Sequence, residues 1–135
     1  MTPAFADTWY YVGLFNRKDA AHARAKAWSE TSRRPLVSTE FVLLELGNAF
    51  ARGKSRARFL ALVKALRRDP GIEIVPASTD LLDRGIELFG EREDKEWSLT
   101  DCTSFVVMTE RGMTDALTGD HHFEQAGFRA LLAER

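Results

Sequence analysis

Short apolar runs alternate with longer amphipathic segments along the chain, and the two differ in the period of their apolar positions. "PAFADT" (residues 3–8), "PLVS" (35–38), "IEIVP" (72–76), "DALTG" (115–119) and "FRALL" (128–132) are brief, apolar or alternating, and bounded by turn residues, which predicts strands. The segments between them carry apolar residues at helical spacing. The predicted helices are "WYYVGLF" (9–15), opened by Thr8; "DAAHARAKAWSETS" (19–32); "EFVLLELGNAFAR" (40–52), capped by Ser38 or Thr39; "SRARFLALVKALRRD" (55–69); "TDLLDRGIELFGERE" (79–93); and "SLTDCTSFVVMTERG" (98–112). "HHFEQAG" (121–127) adds a helical turn. The spacing turns Ala23, Ala27 and Trp28 inward in the second helix, and Phe59, Leu62, Val63 and Leu66 in the fourth. In the fifth it assigns Leu81, Leu82, Ile86, Leu88 and Phe89 to the buried stripe. Strands of a few residues alternating with helices imply βα units: an α/β fold with a parallel sheet covered on both faces. In such folds ligands bind at the carboxyl ends of the strands.

Composition changes this picture little. A length of 135 residues, without repeats or a Pro/Gly/Ser linker, fits one domain spanning 1–135. Nineteen basic residues against twenty acidic give a net charge of −1, so bulk charge does not single out nucleic acid as a partner. The distribution is uneven. Between Arg52 and Arg68 lie seven basic residues and no acid, and this run includes Arg52, Lys54, Arg56 and Arg58. Such a run is a solvated helix face or the track of a phosphate backbone. Cys102 is the only cysteine, which excludes an internal disulfide and suits a reducing compartment. The first residues lack the pattern of a secretory signal, and no apolar run reaches the length of a membrane span, so a cytoplasmic protein is expected.

Four acids stand where burial is expected. Asp7 follows a predicted strand, and Asp120 closes another. Glu45 sits in an apolar helix with Phe41, Val42, Asn48 and Ala49, and no cation, three and four places away. A buried carboxylate so placed must protonate or find a metal. Asp101 follows Ser98 by three, the spacing of a capping box, and Asp120 could equally cap the helical turn after it. Each acid has a local structural explanation. Together they would conflict, since two carboxylates ~4 Å apart repel by roughly 4 kcal/mol at an effective dielectric near 20. Hard oxygen donors suit Mg²⁺ or Mn²⁺.

The order Asp7, Glu45, Asp101, Asp120 resembles the acidic quartet of the PIN domain, especially its VapC-like ribonuclease toxins. The resemblance covers nearly the whole chain, through "FADTWYYVGLFNRKDAAHARA", "STEFVLLELGNAFAR" and, most specifically, "WSLTDCTSFVVMTERGMTDALTGDHHFEQAGF". It implies a PIN-like three-layer α/β/α sandwich with a short-stranded parallel sheet, and one site holding all four acids. Thr118 matches an assisting hydroxyl, while Asp115 is expected to face away. His122 and Phe123 match a packing element, so neither His121 nor His122 is read as a ligand.

The implied activity is a Mg²⁺-dependent (or Mn²⁺-dependent) endoribonuclease that leaves 5′-phosphate and 3′-hydroxyl ends. Asp7, Asp101 and Glu45 would hold the principal metal, and Asp120 a second metal or a water. Arg52, Lys54, Arg56 and Arg58 would contact RNA. The resemblance further implies a small cognate antitoxin docked among "WYYVGLF" and "FLALVKALRR", and a homodimer. Two other readings stay open: a non-cleaving RNA- or protein-binding module with this fold, and a nuclease of RNA processing rather than a toxin.

Overall fold

The first strand, β1 (Ala4–Ala6), divides the core in three residues: Ala4 and Ala6 face one hydrophobic cluster and Phe5 the other, all fully buried. The same alternation recurs in β2 (Leu36–Thr39), with Leu36 on the first side and Val37 on the second, and in β4 (Asp115–Leu117), with Leu117 and Ala116. With β3 (Ile72–Val75) and β5 (Arg129–Ala130) they form one sheet in the order β3-β2-β1-β4-β5, every pairing parallel. The structure is a computed structural model and describes residues 1–134.

Helices cover both faces. The first cluster is filled from α1 (Thr8–Phe15), α2 (His22–Thr31), α3 (Glu40–Ala49) and α4 (Ser55–Arg68), and the second from α5 (Thr79–Glu91), α6 (Leu99–Glu110) and α7 (His121–Gln125), with Val42 of α3 reaching it as well. This is the three-layer sandwich expected from the sequence. Among the described residues no helix is long and apolar enough to cross a membrane.

Cys102 is buried on α6, and burial pushes its thiol up to about 11, as expected of an inert core residue. Of the four aromatics of α1, Tyr10 and Tyr11 are core, while Trp9 and Phe15 are half-buried. Asp115 is paired with Arg34 (2.7 Å) and with Nε and Nη2 of Arg129 (3.0 and 3.1 Å) at the start of β4, the opposite end from the acids discussed below.

Two helix faces differ from those the spacing predicts, for the same reason. In α2 the buried alanine is Ala25, preceded by Ala21 at the N-cap, whereas Ala23 and Ala27 are exposed and Trp28 is half-buried. Gly13 of α1 admits this face: a Cβ there would lie 3.2 Å from Ala21 Cβ. In α5 the packed line is Leu81, Gly85 and Leu88, while Ile86 and Phe89 are about half exposed. Gly85 sets the choice. A Cβ on it would lie 2.6 Å from Thr103 Cγ2, so α5 and α6 meet at a point where no side chain fits. Hydrophobic periodicity ranks Gly as neutral and therefore misses a face defined by close approach.

This contact is open to test. Gly85→Ala should lower stability by about 1–3 kcal/mol, the usual cost of overpacking, as read by urea denaturation. A variant as stable as the parent would show that α5 and α6 are not in such close contact.

Candidate active site

Two adjacent strand ends build the site. The register Ala6↔Leu117 brings the residues after β1 and β4 side by side, so Asp7 and Thr118 emerge together. The Thr118 hydroxyl donates to Asp7 Oδ2 (3.0 Å) and accepts from the Asp120 N–H (3.0 Å), tying the two acids through one buried side chain. Gly119 lies between them, where a Cβ would fall 2.3 Å from the Trp9 ring.

Asp101 arrives from the other side on α6, where the capping box predicted from Ser98 is present in full. The Ser98 hydroxyl accepts from the Asp101 N–H (3.0 Å), and Asp101 Oδ2 accepts from the Ser98 N–H (3.1 Å). Asp120 likewise caps α7, its Oδ1 accepting from the His122 N–H at 3.0 Å. The capping role and the site role therefore coexist. Each cap uses one carboxylate oxygen. Asp101 Oδ1 and Asp120 Oδ2 accept no hydrogen bond among the described residues.

Asp7, Glu45, Asp101 and Asp120 all line one open cavity of about 380 Å³. Glu45 is half-buried rather than enclosed. Its helix buries only Val42, Leu43 and Leu46, while Leu44 beside it is 63% exposed. Glu45 has no ion-pair partner among the described residues, which leaves its charge to the cavity.

Asp19, Glu96, His122 and Trp9 also line the cavity, and sequence reasoning missed all four. Asp19 and Glu96 lie in the connections before α2 and α6; the sequence pattern placed Asp19 only at the start of a helix and Glu96 between two, which marks neither as a site residue. His122 carried a signal that was read otherwise: Phe123 alone is the packing residue, fully buried, while His122 turns to the acids. The donor atoms of His121, His122 and Asp120 lie within 4.8 Å of one another. Among the described residues no Lys or Arg lines the cavity. Arg52, Lys54, Arg56 and Arg58 are exposed on the α3–α4 connection and the start of α4, where Arg56 donates to the Ala51 carbonyl and Arg58 to that of Phe15.

Charge crowding shows in the acidities. Burial, then the neighbouring Asp101, pushes the Asp7 carboxyl up from 3.8 to about 7, against the opposing bond from Thr118. Burial also raises Asp101, aided by Asp120, while the Ser98 N–H and His122 hold it back. For Asp7 the native state keeps a proton that the unfolded chain has released, so the stability this proton carries is lost as pH rises from about 4 through about 7. Chelator-treated protein should therefore be less stable at about pH 8 than at about pH 5, and Asp7→Asn should flatten that dependence. At the higher pH the variant should be the more stable by an amount on the order of a few kcal/mol. Urea denaturation of both proteins checks this, and equal pH slopes would contradict it.

The PIN domain family model matches residues 4–129. Two curated relatives, the 23S rRNA-specific endonuclease VapC20 of Mycobacterium tuberculosis strains CDC 1551 / Oshkosh and ATCC 25618 / H37Rv, are each 30% identical over 131 residues, 96% of this chain and 98% of theirs. The crystal structure of M. tuberculosis VapC20, a sarcin-ricin loop cleaving toxin, superposes with a TM-score of 0.83 at 27% identity, covering 93% of this chain and 96% of that one. DNA-bound VapBC from Salmonella typhimurium shares the fold at a TM-score of 0.66 and 16% identity, covering 96% and 97%. By the family model and these relatives, the chain belongs to the PIN-domain family, among the VapC-like endoribonucleases.

Proposed function

We propose that the four acids hold a divalent ion, Mg²⁺ or Mn²⁺, and that the chain hydrolyses RNA at this cavity as the toxin of a toxin–antitoxin pair. The observation that carries the reading is the convergence of Asp7, Glu45, Asp101 and Asp120 on one cavity that no Lys or Arg lines among the described residues. The donor set fits such an ion. It is hard oxygen throughout, and two of the carboxylates each keep an oxygen free of protein donors. When bound, the ion would offset the carboxylate repulsion, polarise the scissile phosphate and lower the pKa of a water.

The protein's own part is arrangement. Thr118 fixes Asp7 against Asp120, and the N-terminal turns of α6 and α7 hold Asp101 and Asp120. The Ser98 backbone N–H opposes the upward shift that burial imposes on Asp101. Asp7, Asp101 and Glu45 would be the principal ligands, with Asp120 holding a second ion or orienting a water. The expected products are 5′-phosphate and 3′-hydroxyl ends. The specificity of the VapC20 relatives makes ribosomal RNA the first substrate to offer.

Arg52, Lys54, Arg56 and Arg58 are proposed to track the RNA backbone away from the cavity. Leu14 and Phe15 of α1 and Arg58 of α4 line a groove that would take an antitoxin segment, and the solved VapBC neighbours support such a partner. A homodimer in the cytoplasm completes the proposal.

Asp101→Asn and Asp120→Asn should each cut cleavage of host ribosomal RNA by a hundredfold or more, on the order of 3 kcal/mol of barrier, without loss of melting temperature. Sequencing of 5′-phosphate ends, with chelator as control, reads this out. Cleavage that survives both variants and chelator would refute the proposal. Neutralising the four basic residues together should also lower the slope of log affinity against log salt for RNA, and an unchanged slope would remove them from the interface.

A further inference from the structure

We infer that His122 is a positioning residue, which holds the carboxylate of Asp101 in place and couples it to Asp120. The inference rests on the reading of the cavity as a divalent-ion site and assigns to it a residue outside the acidic quartet. His122 is the second residue of α7, with its side chain 20% exposed against 71% for His121. Its Nδ1 lies 3.2 Å from Asp101 Oδ2 and 3.5 Å from Asp120 Oδ1, and its backbone N–H donates to Asp120 Oδ1 at 3.0 Å. One residue thus touches two acids that come from opposite directions, one on α6 and one after β4.

The side chain acts on an oxygen that is already engaged. Asp101 Oδ2 also accepts the Ser98 N–H at 3.1 Å. A single donor leaves the plane of a carboxylate free to turn, because its terminal torsion is broad. A second donor, on a different element, fixes that plane and leaves Oδ1 for the cavity. The next residue makes the arrangement rigid. Phe123 is fully buried and meets Phe105 of α6 edge-on, with ring centroids 4.9 Å apart and an interplanar angle of 85°. This contact pins α7 to α6 and so sets the distance between His122 and Asp101. Among the described residues no Lys or Arg lines the cavity; His121 approaches Asp120 alone, and His122 is the side chain that reaches both acids.

Partners that orient metal-holding groups change metal affinity by roughly 10–100-fold when removed. The test compares the parent, His122→Leu and His122→Asn, whose amide N–H reaches about as far as Nδ1. Two quantities are read: the Mg²⁺ concentration that half-saturates the rise in melting temperature without RNA, and the concentration that gives half-maximal cleavage of host ribosomal RNA. His122→Leu should raise both by about 10–100-fold, while His122→Asn should restore most of the affinity. In an Asp101→Asn background, loss of the imidazole should add little to the Mg²⁺ midpoint, because the two groups act as one unit.

A His122→Leu protein with the parent's midpoints overturns the inference and leaves the divalent-ion reading standing. So does a His122→Asn protein as impaired as His122→Leu. A parent that responds to Mg²⁺ in neither measurement overturns both. Should His122→Leu fail to fold, His122→Gln, whose amide is displaced from the Nδ1 position, carries the same comparison.

Discussion

Repulsion among carboxylates is the constraint around which this protein is built. Asp7, Asp101 and Asp120 crowd together at the ends of two strands and the start of a helix; burial and neighbouring carboxylates push Asp7 and Asp101 up, Asp7 to the point of holding a proton near neutrality. Among the described residues no Lys or Arg lines the cavity to offset them. A fold under selection for stability alone would separate or pair such groups, since a buried unpaired charge costs several kcal/mol. Their persistence together is the physical signature of a site completed by something the chain does not encode.

The fold keeps the acids in place with devices that serve local structure as well. Asp101 and Asp120 cap helices with one oxygen each, so the bonds that start α6 and α7 also aim the remaining oxygens. Thr118 works in the same way, bridging Asp7 to the backbone of Asp120. Cavity, caps and strand register are therefore one structure. A change in any of them moves the acids, and the glycine-tight contacts at Gly85 and Gly119 leave few ways to move.

Much of this was legible in the sequence because it depends on local chemistry. Strand alternation, the Ser98–Asp101 spacing and the Asp7 and Asp120 positions at strand ends all follow from short-range rules and stand in the structure. The family likeness then supplied the convergence, which no spacing could show. What was not legible depends on close approach between distant segments. Ile86 and Phe89 fit a helical stripe as well as Leu81 and Leu88 do, and only the contact of Gly85 with Thr103 decides between them. Glu45 looked enclosed because its neighbours are apolar, yet Leu44 faces solvent. His122 was grouped with Phe123 as packing, although adjacent residues at the start of a helix point in different directions and only one of them reaches the core.

The most direct test of the central claim is an anomalous diffraction map from crystals soaked in Mn²⁺. The expected result is a peak within about 2.0–2.3 Å of carboxylate oxygens from at least two of Asp7, Glu45, Asp101 and Asp120, on the oxygens that the caps leave free. Full soaking with no peak in the cavity, or a peak held only by exposed His121, would contradict the claim that these acids form a divalent-ion site.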